Sequence, residues 1–163
     1  MRRGACALFL SILAWGCAPP VDLTKGLQVE NVSTGWFDAG LVNGQNKLVP
    51  SVSFTLKNVS DQNLPVLQVQ ATFRRITEAQ EVWQTEFKSV AGSEGLAPGA
   101  TTRALVVNST IGYTGSGESR EDMLKNSHFV DAEVELLAKY GSVQWKSLAK
   151  YPVARRLLTK APS

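Results

Sequence analysis

The feature that most limits how this chain can fold is a two-residue rhythm of apolar and polar side chains. Val52, Phe54 and Leu56 alternate with Ser51, Ser53, Thr55 and Lys57, and Leu67, Val69, Ala71 and Phe73 alternate with Gln68, Gln70, Thr72 and Arg74. Successive side chains of an extended strand point to opposite faces, so each run predicts a strand with one packed face and one wet face. The rhythm returns at Trp83, Thr85 and Phe87 against Gln84, Glu86 and Lys88. It returns again at Val130, Ala132, Val134, Leu136 and Ala138 against Asp131, Glu133 and Glu135, and at Val143, Trp145 and Ser147 against Gln144 and Lys146. The run from Thr101 to Ile111, with Leu105, Val106 and Val107, is apolar on both faces, as a central strand would be.

The segments between these runs carry turn chemistry. NVSDQN at 58–63 places Asn and Asp where their side chains can bond the backbone and hold a reversal. GSEGLAPGA at 92–100 is a Gly and Pro loop, and KYGS at 139–142 suits a hairpin turn. Only ESREDMLKNS at 118–127 reads as helix, with acids in the first turn where the helix dipole favours them. With a further strand over Leu27 to Phe37, the count is about seven strands. The expected fold is all-β, an antiparallel two-layer immunoglobulin-like β-sandwich with one short helix, spanning 27–158 and followed by a tail at 159–163. A body of this length buries roughly 68–70% of its unfolded surface and needs no disulfides to hold it.

The N-terminus is built differently. Arg2 and Arg3 precede an apolar core from Ala5 to Leu13, and small Gly16 precedes Cys17, the layout of a secretion signal over 1–16. That core is too short for a bilayer-spanning helix, which needs about 20 apolar residues. Two of the 17 basic residues lie in this leader, which leaves 15 against 14 acidic ones, a near-neutral body without the positive field of a general nucleic-acid binder. Cys6 leaves with the leader, so Cys17 would have no partner for an internal disulfide.

The stretch LAWGCAPP at 13–20 resembles the lipobox of bacterial lipoproteins, with Ala14 and Trp15 departing from its commonest residues. The resemblance implies that Cys17 becomes an acylated first residue. Residues 17–26 would then be a lipidated tether stiffened by Pro19 and Pro20. Ala18 after the cysteine resembles lipoproteins sent to the outer membrane, where the domain would face the periplasm. The alternative is an ordinary secretory leader, a soluble periplasmic or secreted chain and an incidental thiol at Cys17. A second resemblance lies in VSFTLKNVSDQNLPVLQVQATF (52–73) followed by LAPGATTRALVV (96–107), which looks like FxLyD-type and related bacterial immunoglobulin-like domains. FRRI at 73–76 lacks the family's Tyr-Asp ending. The resemblance implies an envelope accessory or binding module with no assigned chemistry.

No residue set in the sequence points to catalysis, a metal or a cofactor. His128 is the one histidine; a Ser-His-acid relay through Asp131 would lack a nucleophile-elbow spacing, and a capping or exposed role is the commoner one. Zinc ligation would want a second histidine or paired cysteines. Asp131, Glu133 and Glu135 share one strand face and read as a solvated row paired with Lys146 or Lys150 rather than as a calcium site. GYTGSGES (112–119) precedes a helix but lacks the Gly-Lys-Ser/Thr ending of a phosphate loop; it reads as a flexible excursion at one end of the sandwich, with Tyr113 and Arg120 as contact groups. Trp83 and Trp145 are expected in the core, whereas Trp36 could be an exposed anchor for a partner. Six basic residues and no acid follow from Lys139, a set that reads first as a solvated edge. Together these predict a non-enzymatic envelope lipoprotein whose sandwich binds a protein partner and which touches the membrane through its lipid alone. The alternative is a periplasmic small-molecule or glycan binder using Trp36 or Tyr113.

Overall fold

The computed structural model describes residues 19–76 and 81–158, and Cys17 lies outside them. The chain folds as a two-layer β-sandwich. A four-residue helical turn, α1 (Leu23–Gly26), leads into β1 (Leu27–Val42), β2 (Gln45–Asn58), β3 (Gln68–Arg75), β4 (Val82–Ser89), β5 (Leu105–Asn108) and β6 (Tyr113–Gly115). Helix α2 (Arg120–Lys125) precedes β7 (Ala132–Lys139), β8 (Lys146–Pro152) and β9 (Leu157–Leu158). One sheet runs β5-β2-β1-β9, with β6 also on β2; the other runs β4-β3-β7-β8. All pairings are antiparallel except the two-residue contact of β9 with β1.

The core lies between the sheets. Val52, Phe54 and Leu56 of β2 and Val69, Ala71 and Phe73 of β3 are buried, as are Ala132, Val134, Leu136 and Ala138 of β7, so the alternation of these strands maps onto inward faces. The turn at 58–63 works through Asn58. Its buried amide donates to the carbonyls of Gln62 and Leu96, both at 2.8 Å, and its oxygen accepts from the Ser60 N–H at 3.0 Å and hydroxyl at 2.7 Å.

Several boundaries differ from the sequence reading. Among the described residues there are nine strands and two helices rather than about seven and one, because β6 and β9 are too short to show an alternation. Only Leu105–Asn108 of the 101–111 run is a strand, and β8 begins at Lys146 rather than Val143. Part of the excursion at 112–119 is strand β6, paired with Asn46–Leu48. The expected tether is held to the sandwich from Pro19 onward, with Leu23 fully buried beneath it.

The two ends of the sandwich are unlike. At the proximal end the first described residues meet the 59–66 and 140–145 loops, through Val21 N–H to the Tyr140 hydroxyl at 2.5 Å and the Val59 N–H to the Gly26 carbonyl at 2.9 Å, and the loops meet one another through Leu64 to Leu96 and Gly141 N–H to Pro65. At the distal end the β1–β2 hairpin overhangs the other sheet. It turns at Asn43 and Gly44, both at positive φ, which is the two-residue turn that matches strand twist. Gly115 leaves room for Met123 of α2 to pack beneath this overhang.

Candidate functional site

The distal end gathers the residues singled out in the sequence, though not in the roles expected of all of them. Trp36 sits opposite Pro50 of β2, and its ring packs against aromatic rings from distant segments. It is fully buried. Phe129 stands edge-on to it at 4.5 Å and Trp83 at 6.4 Å. Trp36 is therefore no exposed anchor and no stacking platform for a sugar, which removes it as the contact of either reading. Its indole N–H has no hydrogen-bond partner among the described residues and is enclosed by aromatic neighbours.

Tyr113 joins the same cluster. It lies opposite Leu48 and packs on Phe129 at 4.9 Å, leaving the phenol half-buried. Arg120, the first residue of α2, pairs with Asp38, two residues along β1 from Trp36. Asp38 also accepts from the Gly40 N–H at 2.8 Å. Ser119 caps α2, accepting from the Asp122 N–H at 3.1 Å, and this fixes the angle at which Arg120 reaches β1. The three candidates thus lie at one end as a structural unit: one ring inside, one at the rim, and one cation that ties the helix to the hairpin.

A further cation lines the cluster. The Arg155 guanidinium lies 5.2 Å from the Phe129 ring and grips Asp131 at 2.6 and 2.9 Å. That hydrogen bond holds the Asp131 carboxyl below the usual carboxylate range and raises Arg155. Asp131, the acid a histidine relay would need, is therefore engaged elsewhere, and exposed His128 meets Ser127 at 3.5 Å. Among the described residues no three His, Cys, Asp or Glu side chains gather in a way that could hold a metal. No helix among them is long and apolar enough to cross a membrane.

Of the exposed large apolar residues, Leu41 (70%), Val42, Ile76, Val82 and Ile111 lie toward the distal end. Leu41 is the most exposed of these, at the hairpin tip. It was not singled out in the sequence, although Asn43-Gly44 beside it is a strong turn signal. Val59, Val66 and Phe87 lie toward the proximal end.

Phe87 shows a face reversal. The register of β4 sets Lys88 opposite Val69, Glu86 opposite Ala71 and Gln84 opposite Phe73, which puts the polar residues inward and Phe87 outward, 66% exposed. A bulge beside Phe73 turns Trp83 back toward the core. Outside the sheet, Phe87 meets Trp145 at 5.8 Å, and Lys139 lies 5.1 Å from that indole. Trp145 is thus a half-buried outer-face residue, not the core residue expected. Lys88 lines a cavity of about 700 Å³ between the β4 and β5 edges, together with Leu96, Arg103 and Leu105 among others. Lys88 spans the gap to the Val106 carbonyl at 2.9 Å.

No family model matches the chain, and no curated protein does. Among solved structures it is similar to the Northeast Structural Genomics Consortium target SoR45, at 12% identity and a TM-score of 0.46, over 81% of this chain and 89% of that one. It is also similar to a Bordetella pertussis protein assigned as ApaA, at 15% identity and a TM-score of 0.42, over 78% and 92%. Neither likeness extends to function.

Proposed function

We propose that the protein is a non-enzymatic cell-envelope lipoprotein, acylated at Cys17, whose sandwich presents its distal end to a protein partner. The observation that carries this reading is the apolar hairpin tip, with Leu41 70% exposed at the end farthest from the chain start. A large apolar residue held in water on a buttressed hairpin contributes nothing to the fold, and it is the kind of anchor that a partner's pocket desolvates. The buttress is the Trp36–Phe129–Tyr113 cluster and the Arg120–Asp38 pair, which give the overhang a defined shape before binding.

The test is site-specific photo-crosslinking in cells from position 41, with position 85 on the outer sheet face as control. A discrete adduct from position 41, lost in Ile76→Glu or Ile111→Glu and absent from position 85, is the expected result. Equal labelling from both positions would remove the distal end as the docking surface. Acyl labelling tests the anchor separately, since the label should vanish in Cys17→Ser.

A further inference from the structure

The start of the described chain has a geometry that a tethered domain would not have. The Pro19 carbonyl accepts from Gln62 at 3.1 Å, Val21 is bonded to Tyr140, and Gly26 accepts from the Val59 N–H at 2.9 Å. Ten free residues from 17 to 26 would allow a domain to stand off by up to about 35 Å, whereas the two steps from Cys17 to Pro19 span at most about 7 Å. A lipid on Cys17 therefore brings the proximal end to the headgroups, whatever path those two steps take.

The proximal surface suits that position. Val59 and Val66 are exposed there at 41% and 44%, and Val66 is held in the left-handed region (φ +50°), a conformation that β-branched residues rarely adopt. Trp145 lies just before β8 with Phe87 against it, Lys139 lies over its ring, and Lys146 follows it in the chain with its side chain exposed. Asp22 itself is occupied with the Thr24 N–H and hydroxyl at the head of α1. Half-exposed indole flanked by lysines is the composition that settles at a bilayer interface and is attracted to anionic headgroups.

We infer that the proximal end lies flush on the phospholipid surface, with Trp145 and Phe87 at headgroup depth and Lys139 and Lys146 over anionic lipid. This rests on the reading of Cys17 as acylated. It extends that reading: the membrane contacts the protein body as well as its lipid, and the β1–β2 hairpin is held upright. With 16 residues in β1, the tip then stands about 45 Å from the anchor.

The full acylated chain is reconstituted into phosphatidylethanolamine and phosphatidylglycerol vesicles containing brominated acyl chains, and tryptophan emission is compared with that in unbrominated vesicles. Trp36 and Trp83 are packed in the fold, so the quenched fraction should belong to Trp145 and be lost in Trp145→Phe. Lys139→Glu with Lys146→Glu, which leaves the ring in place, should reduce quenching on anionic vesicles. A Gly/Ser linker inserted between Ala18 and Pro19 should weaken it by freeing the end from the surface. An acylated, vesicle-bound chain whose Trp145 emission is unchanged by bromine would overturn the flush arrangement while leaving the anchor intact. An intact mass without acyl groups would remove both.

Discussion

Replacing Asn58 by Ala tests the turn on which the proximal end is built. The amide is fully buried and makes four hydrogen bonds, two as donor and two as acceptor. Two of its partners keep another bond: the Leu96 carbonyl still accepts from Leu64 N–H at 3.1 Å, and the Gln62 carbonyl from the Ser60 hydroxyl at 3.2 Å. The Ser60 N–H loses its partner but lies close enough to the surface to find water. At about 1 kcal/mol per bond, with little penalty for stranded groups, Asn58→Ala should cost about 2–4 kcal/mol. For a domain of this size that lowers Tm by about 10 °C. Urea unfolding should show a lower midpoint at unchanged slope. Asn58→Asp should be worse at pH 7, because it sets a carboxylate against two carbonyl oxygens, and part of the loss should return as pH falls into the carboxylate range and the group is protonated. A loss below about 0.5 kcal/mol for Asn58→Ala, the level of an ordinary surface change, would refute the claim that this side chain organises the turn.

Other positions separate packing from contact. Trp36→Ala should destabilise by about 3–5 kcal/mol in denaturant unfolding, as large buried aromatics do, whereas Leu41→Glu should stay within about 0.5 kcal/mol. Gly112→Ala should lower expression and Tm sharply, because a Cβ there would stand 2.0 Å from the Leu48 carbonyl oxygen. The folded Asp131 carboxyl titrates below its unfolded value, so its pair with Arg155 stabilises above the unfolded pKa and is lost as pH falls through the lowered folded one. Both partners are well exposed, which limits the effect to less than about 1 kcal/mol. An NMR carboxyl titration should show the Asp131 midpoint return toward an ordinary value in Arg155→Gln.

How much of this molecule its sequence determines depends on the range of the forces involved. The two-residue rhythm specified strands 2, 3 and 7 and their inward faces, and with them the sandwich, because alternation and burial are local consequences of strand geometry. The Asn58 turn was equally legible, since its side chain bonds backbone within a few residues of itself, apart from the longer reach to Leu96. Alternation assigns the inward face only where the pairing register agrees with it, and on one strand it does not. On β4 the sequence favours Trp83 and Phe87 inward, but the pairing with β3 turns Phe87 out and puts Lys88 toward the open β4–β5 cleft. Inward charges at such an edge also discourage pairing with another chain.

Likewise nothing near Trp36 announces that it is enclosed, because the groups that cover it, Trp83 and Phe129, come from distant segments. The Arg120–Asp38 pair and the seating of Pro19 against Gln62 are long-range in the same way. The chain alone thus set the class of fold and its turns. Tertiary pairing chose which aromatic rings meet solvent, since only the register between strands far apart in sequence decides what lies above each face.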